Sequence, residues 1–219
     1  MLGIEEETAV RGMLRAEPDP GTTKITRVRD VTDGPFYWVP MFAVNDWEST
    51  TRVFRDVVAE DLPADCRRVV AMNNRADRTD RAAMFVDVIA QDLVDEIDAV
   101  VLYGELQEVV SQRLIAAGVP EHKVKTTHDL DGDQVASGRD LVARAREGFE
   151  GEDVAIFGMV NIHTEHVVAM QRYVGALAEE KLPDAAPAPV ADAAPAADEA
   201  AAPAEAQTPA LAGREVTVR

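Results

Sequence analysis

Arginine and asparagine side chains cluster in one short stretch that directly follows an apolar run. The run, Val69 to Met72, has the composition of a strand buried on both faces of a parallel sheet. The polar stretch after it contains, in order, Asn73, Asn74, Arg75, Asp77, Arg78, Asp80 and Arg81. Because guanidinium groups present paired donors to carboxylate or phosphate oxygens, the stretch predicts a site for an anionic ligand. The alternative is a solvated loop in which the arginines pair only with the neighbouring aspartates.

Two further segments place polar side chains where a predicted strand ends and a helix begins. These side chains are Asn45, Asp46 and Ser49 in the first segment, and Asn161 and His163 in the second. In an open parallel sheet such segments meet at one edge, so we expect the three groups to converge on a binding site. Helix capping by Asp46 or Ser49 is the alternative for the first segment. A metal held by His163 and His166 is a weaker interpretation of the second, since no further ligand cluster accompanies them.

Alternating strand and helix patterns predict the scaffold for these loops. Strands are expected at 24–29, 36–44, 69–72, 99–103, 124–127 and 154–157, and helices beginning near residues 5, 46, 79, 109, 133 and 161. The order predicts an α/β fold: a Rossmann-like, mostly parallel sheet with helices on both faces, opened by a β-hairpin. Pro40 lies inside the second predicted strand, which implies a bulge or an edge position.

Composition divides the chain into three parts. Residues 1–20 contain one helix and a turn, residues 21–180 the Rossmann-like domain, and residues 181–219 an Ala/Pro-rich segment with almost no large apolar side chains. Such a segment cannot repay the entropy of ordering, so it is expected to be a disordered tail.

Removing this tail should have little effect on stability. A chain truncated after Leu182 is expected to keep its thermal transition within about 2 °C of the full chain, because the removed residues supply no core. Differential scanning calorimetry of the two chains checks this. A fall of many degrees would show that the tail packs against the domain.

Charge and cysteine content exclude several classes of function. The formal net charge of −18 argues against nucleic acid as the main partner. The single cysteine, Cys66, excludes an internal disulfide and fits a cytoplasmic location. The first ten residues have neither the basic start nor the apolar core of a signal peptide. No GxxxxGK[ST] motif occurs, so the sequence predicts no phosphate-binding loop of that type.

Four motifs in this order resemble a known family. The motifs FAVNDWEST, NNRADRTDR with AAMFVDVI, VLYGE and MVNIH resemble the carboxy-terminal part of the ligase subunit of poly-γ-glutamate synthetase, the PgsB/CapB group. The arginine stretch and its helix are also similar to the corresponding element of the wider Mur ligase superfamily. The resemblance covers roughly residues 2–175. Residues 1–20 look like the last helix of the family's central ATPase domain.

The resemblance implies an ATP-dependent acid–amino acid ligase that forms amide bonds through an acyl phosphate. It implies ATP and Mg²⁺ as cofactors, bound mainly by a separate half that carries the phosphate-binding loop, so this chain alone is expected to be inactive. Implied partners are that half, glutamate or poly-γ-glutamate, and membrane subunits that would bring the protein to the inner face of the membrane. Non-catalytic alternatives are a regulatory module of a full-length ligase and a stand-alone binding domain.

The resemblance also supports the candidate site residues. We expect substrate or nucleotide contacts, and no assigned catalytic or metal-binding role, for Asn45, Asp46, Ser49, Asn73, Arg75, Asp77, Arg78, Arg81, Asn161 and His163.

Overall fold

A computed structural model describes residues 5–15, 23–30, 34–132, 134–178 and 180–181 of the protein. Almost all of the predicted tail, and the turn between residues 16 and 22, lie outside the described residues. The first residue of the predicted tail, Lys181, pairs with Thr26 in a strand of two residues.

The described residues form an alternating series of strands and helices. The strands are β1 (Thr26–Asp30), β2 (Gly34–Pro40), β3 (Arg67–Asn74), β4 (Ala99–Gly104), β5 (Val124–Thr126), β6 (Val154–Val160) and β7 (Glu180–Lys181). The helices are α1 (Glu6–Arg15), α2 (Trp47–Glu60), α3 (Thr79–Val88), α4 (Gln107–Ala116), α5 (Gly138–Arg146) and α6 (Glu165–Leu177). A π-helical turn, Ile89–Leu93, extends α3, and one-turn 3₁₀ helices, Ala76–Arg78 and Glu121–Lys123, precede α3 and β5.

All seven strands belong to one sheet, in the order β5-β4-β3-β6-β2-β1-β7. The five strands from β5 to β2 are parallel, while β1 pairs antiparallel with both β2 and β7. The predicted α/β class, the mostly parallel sheet and the opening hairpin of β1 and β2 are therefore confirmed. The late strand β6 lies between β2 and β3, which come much earlier in the chain.

Two apolar cores cover the two faces of the sheet. On β3, Val70 and Met72 belong to one core, and Val69 and Ala71 to the other, because successive side chains of a strand point to opposite faces. The first core contains apolar side chains of α2, α3 and α4, and the second those of α5 and α6. Helices on both faces explain why the run Val69 to Met72 of β3, and the whole of β6, are apolar.

The second strand ends earlier than the sequence predicted. It stops at Pro40, and the next three residues turn away from the sheet. Met41 N–H donates to Gly158 O on β6 at 2.8 Å, so the nitrogen of Pro40 faces the opposite side, toward β1. Pairing with β1 reaches only Trp38. Pro40 therefore lies at the end of an interior strand, and its nitrogen faces a position that β1 does not reach. The missing N–H donor thus costs the sheet no hydrogen bond.

Two predicted helix starts are also shifted. The helix expected from residue 133 begins at Gly138, after the Ser137 hydroxyl accepts the N–H of Asp140. The helix expected from residue 161 begins at Glu165, capped by Thr164. Asn161 and His163 therefore lie in a loop and not in the first turn of a helix. Within the described ranges, no helix combines the length and hydropathy needed to cross a bilayer.

Candidate functional site

The sheet has a topological switch at β6. The helices that follow β2 and β3 pack on one face, whereas α6, which follows β6, packs on the other. Where the chain leaves two neighbouring strands toward opposite faces of the sheet, a crevice opens at the carboxyl ends of those strands. Open α/β proteins bind their ligands in this crevice. The loops after β2, β3 and β6 contain all the predicted site residues except Asn73, at the end of β3, and Ser49 and Arg81, near the starts of α2 and α3.

The base of the crevice is closed by two reciprocal amide contacts. The side-chain amide of Asn161 donates to the backbone oxygen of Asn73 at 3.0 Å, and the amide of Asn73 donates to the backbone oxygen of Asn161. Both residues are buried. Val160, the last residue of β6, has φ +79°, a conformation that β-branched residues rarely adopt. The two asparagines therefore hold the carboxyl ends of β3 and β6 together at a strained turn.

Two buried amide oxygens face the interior beside this clamp. Asn73 Oδ1 and Asn74 Oδ1 have no hydrogen-bond partner among the described residues. Gly104, the register partner of Asn74, has φ +78°, and a Cβ there would lie 2.4 Å from Asn74 O and 2.9 Å from Asn73 Oδ1. The lack of a side chain at residue 104 is thus what allows β4 to approach the asparagines.

Arg75 forms the local ion pair that the alternative interpretation of the arginine stretch predicted. Its Nε and Nη2 donate to the two carboxylate oxygens of Asp77 at 2.9 and 2.7 Å. The adjacent backbone N–H of Ala76 donates to Glu105 Oε2 at 2.7 Å. The ion pair therefore occupies the Nε and Nη2 donors of Arg75. The carboxylate of Glu105 fixes the loop against the end of β4.

The other two arginines of the stretch have different environments. The side chain of Arg78 is exposed and makes no hydrogen bond or ion pair with any residue that the structure describes, while its backbone N–H donates to Arg75 O at 3.2 Å. Arg81 is half-buried, donates to two backbone carbonyls of the loop after β2, and stacks at 5.9 Å from the Phe85 ring centroid. Burial, and then the nearby Arg78 charge, lower the pKa of Arg81. Of the three, Arg78 is the one whose donors are available to an anion.

The loop after β2 confirms capping and leaves one amide exposed. Asp46 is the N-cap of α2, and its carboxylate accepts the Ser49 N–H at 2.8 Å. This bond holds the pKa of Asp46 below its ordinary value. Asn45 is exposed beside it. Capping accounts for Asp46 and for the backbone of Ser49, and Asn45 remains accessible to a ligand.

The loop after β6 borders a cleft of about 850 Å³. The cleft is lined by polar and apolar residues of this loop, of α6 and of the segment before α5, including Gln134, Ile162, His163, Thr164 and Arg172. His163 is exposed to it. His166 is buried instead, with Nε2 at 3.0 Å from Asp131 Oδ1. The two histidines therefore face different surroundings.

Sequence reasoning missed two carboxylates that shape these loops. Glu105 is not among the predicted site residues, although it directly follows the strand β4. Asp131 accepts both His166 and the N–H of Ala136, and thereby ties the segment before α5 to α6. No pattern near Asp131 indicated this, since its partner is distant in the chain.

A resident metal site is not formed by the residues that the structure describes. They contain no group of three or more His, Cys, Asp or Glu side chains placed to hold a metal ion. The predicted site residues at the crevice include cationic and amide side chains, which contact anions, and the carboxylates of Asp46 and Asp77, which accept hydrogen bonds from Ser49 and Arg75.

Comparisons with known proteins place these features in a family. Residues 25–176 match the family described as the poly-gamma-glutamate synthase CapB C-terminal domain. The PGA synthase CapB of Bacillus subtilis (strain 168) is 34% identical over 164 residues, which are 74% of this chain and 38% of that protein. The capsule biosynthesis protein CapB of Bacillus anthracis is 34% identical over 165 residues, 74% of this chain and 32% of that protein. The chain thus spans about a third of the length of these relatives.

A solved structure shares the fold. A crystal structure of MurF from Acinetobacter baumannii superposes with a TM-score of 0.51, at 13% sequence identity, over 80% of this chain and 35% of that one. At this identity the likeness concerns the fold alone.

Proposed function

This chain belongs to the family of poly-gamma-glutamate synthase CapB C-terminal domains, and we propose that it serves as the carboxy-terminal domain of an ATP-dependent ligase that makes poly-γ-glutamate. The family and the Mur-type fold expected from the four motifs are confirmed. The observation that carries the proposal is the family match, which spans every strand-end loop at the crevice.

In the proposed reaction, ATP phosphorylates a carboxylate, and the amine of the next glutamate attacks the acyl phosphate. A C–N bond forms, the C–O bond to phosphate breaks, and an amide and inorganic phosphate result. ATP and Mg²⁺ are bound mainly by another half, since this sequence has no phosphate-binding loop and the described residues form no metal cluster. Mg²⁺ and a phosphate-binding loop would stabilise the phosphoryl charge there.

The residues of this chain bind and orient the anionic reactants at the crevice. We propose that Arg78 contacts a carboxylate or phosphoryl oxygen, since it is exposed and unpaired among the described residues. Arg75, preorganised by Asp77, supplies a second positive centre beside it. Asn45 and His163 supply polar contacts from the neighbouring loops. Asn73, Asn161 and Asp46 hold those loops in place through the bonds described above.

The proposal also names partners and a location. The necessary partner is an ATP-binding half, and glutamate or the growing poly-γ-glutamate chain is the substrate. Membrane subunits of a synthetase would hold the complex at the inner face of the membrane, on the cytoplasmic side.

A reconstitution tests this function. The purified chain alone should show no glutamate-dependent ADP release, because nothing in it holds a β,γ-phosphate in the manner of a phosphate-binding loop. Mixing it with the part of the Bacillus subtilis relative that precedes the matched region should produce such release, measured by a coupled ADP assay. Two mixtures, each lacking one of the two parts, are the controls.

The outcomes separate the alternatives. Robust ADP release by the chain alone would overturn the need for a second half. Specific binding between the two parts without any ADP release would favour the non-catalytic, regulatory module.

A further inference from the structure

Arg81 is bonded to the backbone of a different loop, and this sets it apart from the other arginines of its stretch. Its Nη2 donates to Phe42 O at 3.0 Å and to Val44 O at 3.2 Å. Both carbonyls belong to residues 41–46, which leave the sheet at the end of β2 and lead to the N-cap of α2. One nitrogen with two hydrogens thus bridges two carbonyls of one turn.

Apart from the bonds of Arg81, this loop has few hydrogen bonds to the rest of the described structure. Within it, Val44 N–H donates to Met41 O at 3.3 Å, and Met41 N–H donates to β6. Ala43, Asn45 and Asp46 are exposed. Among the described residues, the two bonds from Arg81 are the side-chain hydrogen bonds that tie the middle of the loop to another element, while the buried side chains of Met41 and Phe42 pack into the two cores.

The surroundings of Arg81 fit a fixed support better than an anion ligand. Its side chain is half-buried, stacked near the Phe85 ring, and its Nε is buried without a partner among the described residues. Arg78, one turn earlier, is exposed and has its donors free within the same described part. An anion that bound Nη2 of Arg81 would have to displace the carbonyls of Phe42 and Val44.

We propose that Arg81 is a positioning residue, which holds loop 41–46 and its Asn45 at the crevice through backbone carbonyls instead of binding the anionic ligand. The effect on the reaction rests on the proposed function, whereas the effect on the loop does not. A guanidinium suits this task because it combines a planar donor fork with stacking on an aromatic ring. A lysine at position 81 would keep the positive charge but would lack the planar set of N–H donors.

Hydrogen exchange with mass spectrometry on the whole chain tests the support of the loop. Arg81→Met keeps the apolar stem of the side chain and removes both donors. The hydrogen-bonded amides of Met41 and Val44 should then exchange about tenfold faster, while amides of β3 and β6 keep their wild-type rates. Arg81→Lys should show a smaller acceleration, and it decides the question if the methionine variant fails to fold. Arg78→Met is the matched control and should leave loop exchange unchanged.

A second readout connects the loop to the reaction. In the reconstituted ligase, Arg81→Met should lower glutamate-dependent turnover at least about tenfold, with part of the rate recovered in Arg81→Lys. Unchanged exchange at 41–46 in Arg81→Met would overturn the proposal, and so would faster exchange with wild-type turnover. If the wild-type mixture has no ligase activity, the proposed function fails, and the exchange result still decides whether Arg81 holds the loop.

Discussion

Replacing Arg78 by alanine should lower the glutamate-dependent turnover of the reconstituted ligase about 100-fold and leave the thermal transition of the chain unchanged. The side chain is exposed and has no partner among the described residues, so its removal costs the fold little. A lost charge-assisted contact to a developing negative charge costs on the order of 3 kcal/mol of transition-state stabilisation. Steady-state ADP release and calorimetry on the same preparations measure the two effects.

A distant arginine provides the control for the loss of charge. Arg52 lies on α2, has an exposed side chain and pairs only loosely with Asp56 at 3.7 Å. Arg52→Ala removes the same charge and should leave turnover within about twofold of wild type. Equal turnover in wild type, Arg78→Ala and Arg75→Ala would contradict an anion site in this loop, and would leave Asn45 and His163 as the remaining exposed candidates.

The largest loss of stability is expected for Gly104→Ala. The new Cβ would lie 2.4 Å from Asn74 O, a backbone atom of the neighbouring strand, and the residue would keep a φ of +78°. Backbone strain of about 1–2 kcal/mol and overpacking of about 1–3 kcal/mol together predict a loss of about 3 kcal/mol. For a chain of this size that corresponds to a fall of about 10 °C in Tm, measured by calorimetry.

The variant Gly148→Ala separates the cost of backbone strain at a positive φ from the cost of a close contact of the new Cβ. Gly148 has nearly the same φ, +86°, but no atom lies within 4 Å of a Cβ built there. This variant should lose only about 1 kcal/mol, or about 3 °C in Tm. Similar losses in the two variants would show that the close approach of β4 to the asparagines contributes nothing.

The fold could be predicted from sequence where local pattern and tertiary context agree. The apolar run before Asn73 and the run from Val154 to Phe157 both form interior parallel strands, as their composition indicated. Strand order could not be derived in this way, because nothing in the sequence around β6 records that it pairs with β2 as well as β3. The position of Pro40 was wrongly predicted for a related reason: a proline is tolerated there because β1 begins only at Thr26, opposite Trp38.

The site was predictable at the level of loops but not of individual roles. Strand-end position correctly brought Asn45, Arg78 and His163 to one edge of the sheet. The same reasoning treated Asn161 and Arg81 as equivalent to them, although both use their donors on backbone carbonyls. Those carbonyls belong to Asn73 and Phe42, which are remote in sequence. Whether these residues contact a ligand stays a prediction.

The central position of β6 also constrains how the protein is made. The contacts between Asn73 and Asn161 join residues 88 positions apart in the chain, and β2 and β3 are connected in the sheet only through β6. On a translating ribosome, β2 and β3 therefore emerge long before the strand that joins them. Until β6 has left the exit tunnel, each presents an unpaired apolar edge, which is a surface that molecular chaperones bind. Contacts of such long range also slow folding.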